Sequence, residues 1–298
     1  MSTHGITRAD MHSVGLPRRR ATNRLMEALA WLAAAIAVGF LFLIVWSVAG
    51  KGASQLNLDL ITKTPAVGFL TTSGGGLANA FAGTLVIVGV ATLMALPTGI
   101  LVALYVTEFA PAAVRNVVSL ALDVLNGVPA IVIGIFVYGL FVLGHGQSAL
   151  AGSFALACIM LPLVARSTIE VLLLVPSALR EASLALGVAR WRTTLSIVLP
   201  QTIGGIVTGT VLAVARVAGE TAPLLFTSSL VGTQLHWDPH HALQTVPVAI
   251  YELSESPNPD DHARAWAAAL VLLLFILATS LVARWLATRH RERFSTSR

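Results

Sequence analysis

Two oppositely charged residues, Arg216 and Glu220, lie inside an apolar stretch at residues 204–225. Placing an arginine at the centre of a bilayer costs at least about 2.5 to 3.5 kcal/mol, so its side chain is not expected to face lipid. A spacing of four residues would set both charges on one face of a continuous helix. One interpretation is that the pair only locks helices together.

A second interpretation gives Arg216 a chemical task. Its guanidinium offers a planar fork of N–H donors, which matches the oxygens of a tetrahedral oxyanion such as phosphate. Glu220 would then hold the arginine and keep an empty site from binding its ligand too tightly. Arg166, four residues after Pro162 in the preceding apolar segment, could supply a second donor or could extend its charge to the aqueous interface.

Another informative stretch, residues 176–200, separates two apolar segments. Pro176 and Ser177 are typical of a helix start, and helix-forming residues follow them. Gly187 indicates a turn because glycine has a permissive backbone, and Arg190 begins a second short helix. The stretch therefore predicts a compact helix-turn-helix that projects from the membrane.

Helices within a membrane must position these residues. Hydrophobic residues make up 56% of the chain, charged residues 11%, and the mean hydropathy is +0.80, far from a soluble domain. One crossing needs about 20 apolar residues. We expect an all-α fold, a polytopic membrane protein with six transmembrane helices, because the alternation typical of barrel strands is absent. The six apolar segments are residues 28–48, 77–106, 117–143, 149–174, 204–225 and 265–287.

The third segment contains a helix-breaking sequence, Asn126-Gly127-Val128-Pro129. Proline has no backbone N–H, and its ring clashes with the preceding turn of a helix. Breaks at membrane depth are tolerated where the backbone lines a cavity or packs on protein. We expect this helix to kink or break there, with Asp123 near the cytoplasmic interface.

Basic residues are sorted by loop and predict the orientation. They concentrate in both tails and in the loops after the second and fourth segments, whereas the opposite side carries Lys51, Lys63 and Arg264. The positive-inside rule then puts both termini in the cytoplasm. The predicted regions are a basic tail at 1–27, mostly disordered over residues 1–24, a first helix and outer loop at 28–76, a transmembrane domain at 77–287 that contains the loop 176–200, and a basic tail at 288–298.

The loop at 176–200 resembles the signature loop of importer-type ABC permeases, whose fold is called MetI-like. Six residues match at the family's spacing, and Ser183, at the third position of the Glu-Ala-Ala motif, is the one departure. In that family the loop is a coupling helix that docks in a cytoplasmic ATPase. The resemblance implies that ATP and Mg bind to the partner ATPase, with no cofactor, metal site or catalytic residue on this chain. The matching residues are Glu181, Ala182, Gly187, Ile197, Leu199 and Pro200.

Residues 219–227, Gly-Glu-Thr-Ala-Pro-Leu-Leu-Phe-Thr, are similar to the A-type permease subunits of phosphate-specific transport systems. The similarity extends over about residues 77–285 and implies uptake of inorganic phosphate along a path that includes Arg216, Glu220 and Arg166. It also implies a C-type phosphate permease subunit, two ATPase subunits, an extracytoplasmic phosphate-binding protein and the lipid of a bacterial plasma membrane as partners.

Other functions fit the residues less well. No Walker motif is present, so ATP hydrolysis would need a separate chain. An importer of another oxyanion, sulfate or molybdate, stays open as an alternative. An ATP-independent secondary transporter would leave the docking loop unexplained and should show an inverted repeat. An intramembrane serine protease would need Ser and His facing each other within helices, and charges sorted by loop do not favour nucleic acid as a partner.

Overall fold

The computed structural model describes residues 16–65, 75–229 and 235–295 of the 298-residue chain. The chain divides into two units, Met1–Gly50 and Lys51–Arg298. Within the described ranges the structure is mostly helical and has no strand. The helices are α1 (Leu16–Gly52), α2 (Leu58–Thr62), α3 (Ala78–Leu104), α4 (Ala112–Gly127), α5 (Ala130–Val137), α6 (Ala149–Leu173), α7 (Ser177–Ala185), α8 (Arg190–Thr193), α9 (Leu199–Val217), α10 (Ala222–Thr227), α11 (Val246–Ser254) and α12 (Pro259–Ser295).

Helical spans in the described ranges confirm the all-α polytopic prediction. Five helices there are long and apolar enough to cross a membrane, and a sixth span requires α4 and α5 to be taken together. Large apolar side chains at intervals along α3 are exposed, as lipid-facing residues would be. These are Leu85, Leu93 and Leu101.

The third predicted span is not one straight helix. The axes of α4 and of the helical segment 130–142 differ by 95°. Val128 between them is extended, with φ −68° and ψ 127°, as expected for a residue that precedes a proline. The predicted break at Asn126–Pro129 is therefore confirmed, and it is sharper than a kink.

Both predicted tails are helical where the structure describes them. α1 begins at Leu16 and α12 extends to Ser295, so the prediction of mostly disordered residues up to 24 is wrong for residues 16–24. This stretch contains four arginines together with Leu16 and Ala21, which favour helices, and Pro17 suits a first helical turn. The other tail residues, 1–15 and 296–298, lie outside the described residues, as does part of the predicted outer loop at 66–74.

α6 is the centre of the larger unit. Its buried residues Leu156, Met160 and Val164 form one apolar cluster with Ile87 of α3 and Val217 of α9. Small residues bring the neighbouring backbones close, as is typical of helix packing in membranes. The end of α6 that leads into residues 176–200 is called the loop end below.

Two short helices, α5 and α10, meet at a glycine. A Cβ added at Gly134 would lie 2.6 Å from Pro223 Cα, a distance that requires the backbones to move apart. Gly139, one helical turn past Gly134 in the segment 138–142 that continues α5, has open space around it. Gly134 is therefore the contact that lets α10 pack against α5.

We expect G134A to lower the free energy of unfolding by about 1 to 3 kcal/mol, the usual effect of overpacking a close contact. G139A is the matched control and should stay within about 0.5 kcal/mol of the parent chain. Thermal unfolding of both variants in detergent measures the difference. Equal midpoints for the two variants would contradict the packing of α10 on α5.

Candidate functional site

The apolar stretch that carries Arg216 and Glu220 is two helices with a break between them. α9 ends at Val217, residues 218–221 are not helical, and α10 begins at Ala222. In a continuous helix the ring of Pro223 would clash with the carbonyl of Gly219, and proline has no N–H for the next hydrogen bond. The prediction of a single helix over residues 204–225 is therefore wrong.

Arg216 and Glu220 consequently do not share a helical face. Arg216 is exposed on the last turn of α9, and Glu220 is half-buried within the break. Ion pairs among the described residues join other side chains. The predicted pairing of Glu220 with Arg216 is thus wrong, because the helix that would align the two ends before Glu220.

The depth of Arg216 follows from the packing of α9 on α6. A Cβ added at Gly209 would lie 2.5 Å from Ser167 Oγ, and one at Gly205 would lie 2.5 Å from Val171 Cγ1. The two helices are therefore antiparallel and in close contact. Continued in this register, Arg216 lies opposite residue 160, near the middle of the 25-residue α6.

The break between α4 and α5 lies at nearly the same level along α6 as Arg216. Leu122 of α4 is in one apolar cluster with Ala165, towards the loop end of α6. Val137 of α5 is in another cluster with Ala155, in the opposite half of α6. The chain therefore passes the middle of α6 at residues 127–129, so both helix breaks lie close to the depth of Arg216.

Arg166 is held by α4. Its Nη2 donates to the carbonyl oxygen of Ser119 at 2.7 Å, and the same nitrogen forms an ion pair with Asp123. At a rise of about 1.5 Å per residue, Arg166 lies roughly 9 Å nearer the loop end than the level of Arg216. Arg166 is therefore neutralised by a carboxylate at a different depth, an arrangement that neither sequence-based interpretation included.

Polar side chains fix the far end of α10. Gln147 Nε2 donates to the carbonyl oxygen of Phe226 at 3.3 Å, and its Oε1 accepts from Ser229 N at 2.9 Å. Ser228 Oγ donates to the carbonyl oxygen of Leu243 at 2.7 Å and accepts from Leu243 N at 2.9 Å. The short helix that follows Glu220 is thus held by the hydrogen bonds of Gln147 and Ser228 at its end and by contact with α5.

The loop at 176–200 is the predicted helix-turn-helix. Gly187, with φ +76°, ends α7 in the left-handed conformation, and Val188 N donates to the carbonyl oxygen of Ser183 at 3.2 Å, as in a Schellman motif. The motif residues differ in exposure: Glu181, Ala182, Gly187 and Pro200 are exposed, whereas Ile197 and Leu199 are half-buried.

Ser183, the departure from the family pattern, has a structural partner. Its hydroxyl is buried and lies 2.8 Å from the hydroxyl of Thr193 in α8. This hydrogen bond joins the two short helices across the turn at Gly187. A small residue at position 183 is therefore required by the packing of α7 on α8, and serine adds a hydrogen bond that alanine cannot make.

A buried ion pair connects α7 to the membrane helices. Arg180 Nη2 lies 2.8 Å and Nε 3.1 Å from Glu108 Oε1. The same guanidinium donates to the carbonyl oxygens of Leu172 at 3.0 Å and Val175 at 2.7 Å. Glu108 belongs to the π-helical turn Tyr105–Phe109 that continues α3, so one side chain of α7 contacts the ends of both α3 and α6.

Sequence reasoning missed Glu108. One signal was available, since a carboxylate at the C-terminal end of a long apolar helix is unfavourable next to the helix dipole and needs a cation. Its partner could not be identified from spacing because Arg180 is 72 residues away.

No group of three or more His, Cys, Asp or Glu that could hold a metal ion occurs among the described residues. The described residues offer instead the exposed guanidinium of Arg216, level with the middle of α6, and two helix breaks near that level. A helix-turn-helix is linked by an ion pair to the membrane helices. The guanidinium can form charge-assisted hydrogen bonds with an anion, and the ion pair connects the helix-turn-helix to the ends of α3 and α6.

Comparison with known proteins identifies relatives of most of the chain. Residues 95–292 match the family model of binding-protein-dependent transport system inner membrane components. The chain is 39% identical over 270 residues to the phosphate transport system permease protein PstA of Haemophilus influenzae, covering 89% of this chain and 94% of that protein. It is 38% identical over 284 residues to PstA 1 of Mycobacterium tuberculosis, covering 92% of this chain and 91% of that protein.

Solved structures share the fold at low identity. A chain of a bacterial alginate ABC transporter, in complex with an alginate-bound periplasmic protein, has a TM-score of 0.63 at 15% identity and covers 92% of this chain and 98% of that one. A chain of the inward-facing MetNI methionine ABC transporter has a TM-score of 0.57 at 18% identity, over 72% of this chain and 94% of that one.

We expect S183A to increase backbone hydrogen exchange across residues 177–193, because the hydrogen bond between Ser183 and Thr193 is lost, at a cost of about 1 kcal/mol. S177A is the matched control, since Ser177 is exposed on the first turn of the same helix. Hydrogen exchange followed by mass spectrometry resolves the segment. Unchanged exchange in S183A would mean that the hydrogen bond does not stabilise the loop.

Proposed function

Because the chain belongs to the inner membrane components of binding-protein-dependent transport systems, and within them to the PstA permeases, we propose that it forms part of a path for inorganic phosphate in an ATP-driven importer. The chain is a multi-pass membrane protein and a transport subunit. In this proposal it supplies a path and a mechanical connection, whereas a partner hydrolyses ATP.

Arg216 supports this proposal most directly. It is exposed at the end of α9, is level with the middle of α6, and has no carboxylate within ion-pair distance among the described residues. A guanidinium at that depth is too costly to leave in lipid, so its face must meet water, protein or an anion. Phosphate satisfies the fork of N–H donors with paired oxygens, and Glu220 in the adjacent break would limit retention of the anion.

A second permease subunit would complete the path. Asn126 and Gly127 at one break and Gly219 at the other are exposed in the isolated chain, yet open backbone at membrane depth is tolerated only where it lines a cavity or contacts protein. We infer that a C-type phosphate permease subunit covers this face, leaving a passage between the two chains at the level of Arg216.

The helix-turn-helix would connect this path to the energy source. Glu181 and Ala182 are exposed on α7, where they are available to a cytoplasmic ATPase. We infer a pair of ATPase subunits that bind ATP and Mg, with both termini of this chain on the same side. An extracytoplasmic phosphate-binding protein would deliver the anion at the end of the bundle opposite the loop end.

We expect R216Q to lower phosphate uptake by at least about tenfold without loss of complex assembly, because losing hydrogen bonds to a charged group costs about 1.5 to 3 kcal/mol. Phosphate uptake by R216K should lie between that of the parent chain and that of R216Q, because lysine keeps the charge but lacks the planar fork of N–H donors. Uptake of labelled phosphate in cells that lack the native chain measures the effect, with R284Q, an exposed arginine of α12, as the control.

Competition in the same assay separates phosphate from other oxyanions. Excess unlabelled phosphate should block uptake, and excess sulfate or molybdate should not. Normal phosphate uptake by R216Q would contradict the role of Arg216, and competition by sulfate or molybdate would favour a different oxyanion as the cargo.

We expect E181K to separate ATP hydrolysis from transport, because it reverses the charge on the exposed face of the proposed docking helix. In reconstituted complexes, ATP hydrolysis should lose its stimulation by the loaded binding protein while basal hydrolysis persists. E27K makes the same charge change on α1, outside the loop sequence 176–200, and its stimulation should match that of the parent. Normal stimulation in E181K would contradict docking through α7.

A further inference from the structure

We propose that the buried Glu108–Arg180 ion pair is the joint through which movement of α7 reaches α3 and α6. The inference rests on the proposed function, since it assumes that α7 docks on an ATPase. It assigns a positioning role to two residues outside the proposed path for the anion, and outside the matched residues of the loop motif.

The geometry of the pair is that of a rigid connection. Both terminal nitrogens and Nε of Arg180 are engaged, by Glu108 and by the carbonyl oxygens of Leu172 and Val175. Leu172 lies in the last turn of α6 and Val175 lies two residues past its end, where a cation is also favoured by the helix dipole. Any displacement of Arg180 therefore pulls on the ends of two membrane helices at once.

Burial distinguishes this pair from surface ion pairs of the same chain. The side chain of Glu108 is 7% exposed and that of Arg180 is 22% exposed, whereas in the Lys63–Asp59 pair these values are 63% and 58%. Surface pairs contribute little, but removing one member of a buried pair leaves an uncompensated charge and is strongly unfavourable. The Glu108–Arg180 contact should therefore persist while α7 moves.

Arg180 and Glu181 have separate tasks on one turn of α7. Consecutive helical residues point about 100° apart, which lets Glu181 stay exposed while Arg180 turns towards Glu108. A partner that seats on the Glu181 side can thus apply force to α7 without breaking the ion pair on the other side. The docking surface and the joint are adjacent along the chain and separate in space.

The loop has a second attachment, to the helix that carries Arg216. The Ser183–Thr193 hydrogen bond joins α7 to α8, and the π-helical turn Thr194–Val198 leads from α8 into α9. Glu108 likewise lies in a π-helical turn, at the end of α3. Such turns are frequent at functional sites in helices. Movement of α7 would therefore reach α3 and α6 through Arg180 and α9 through Ser183.

The test measures phosphate taken up per ATP hydrolysed in liposomes that contain the full complex and loaded binding protein. Variants are E108Q, R180Q, the double variant E108Q/R180Q, and R180K, which retains the charge but loses the fork. We expect the uptake-to-ATP ratio to fall at least about fivefold in each, within the usual range of coupling between sites. The double variant should be no worse than either single variant, because both remove the same joint.

R115Q is the matched control. Arg115 contacts the same π-helical turn through the carbonyl oxygen of Val106 at 3.1 Å and forms no ion pair with a described carboxylate. R115Q should keep the parent ratio. If the uptake-to-ATP ratio of R115Q falls as far as that of R180K, any disturbance of the π-helical turn lowers coupling. That result would overturn the role assigned to the ion pair.

Co-purification of the subunits separates assembly from coupling. If the glutamine variants do not assemble, R180K alone tests the proposal. A parent-like uptake-to-ATP ratio in assembled R180K overturns the proposal, and a fivefold lower ratio supports it. If the decreases in the uptake-to-ATP ratio of the two single variants add up in the double variant, the proposal is also overturned, because Glu108 and Arg180 would then act independently. Phosphate uptake by the unsubstituted complex tests the proposed function separately. If that complex takes up no phosphate, the proposed function is contradicted before any variant of the ion pair is compared.

Discussion

Close contact between α6 and its neighbours is the constraint on which the larger unit depends. Lipid offers no hydrophobic driving force between transmembrane helices, so association relies on van der Waals packing and on small residues that let backbones approach. Gly205 and Gly209 of α9 supply such contacts against Val171 and Ser167. Because these contacts set the register of α9 against α6, they also set the depth of Arg216 on the last turn of α9.

Broken helices give the middle of the unit its polar character. Pro129 immediately precedes α5 and Pro223 lies in the first turn of α10, and the two short helices pack on each other where Gly134 meets Pro223. A continuous helix would satisfy its backbone internally, whereas each break leaves polar groups that need another partner. Both breaks lie near the level of Arg216. The unpaired backbone groups and the guanidinium, which are unfavourable in lipid, therefore lie at one depth.

Charge pairing divides the arginines of the unit into distinct groups. Arg166 is neutralised by Asp123 and Arg180 by Glu108, and both link neighbouring helices. Arg216 has no such carboxylate among the described residues and lies exposed on α9. Neutralised arginines can serve as rigid connections, whereas an exposed one is available to an anion, and this contrast underlies the separate roles proposed for Arg180 and Arg216.

The sequence by itself determined the helical class, the apolar segments, the break before Pro129 and the helix-turn-helix at 176–200, because hydropathy, proline and glycine act over a few neighbouring residues. Only the tertiary structure decided the partners of the charged side chains. The interval of four between Arg216 and Glu220 suggested a pair that the break at Gly219 prevents, whereas Arg180 finds its carboxylate 72 residues away. Ion pairs join side chains that packing brings together, and packing depends on the register of whole helices, which local sequence patterns do not specify.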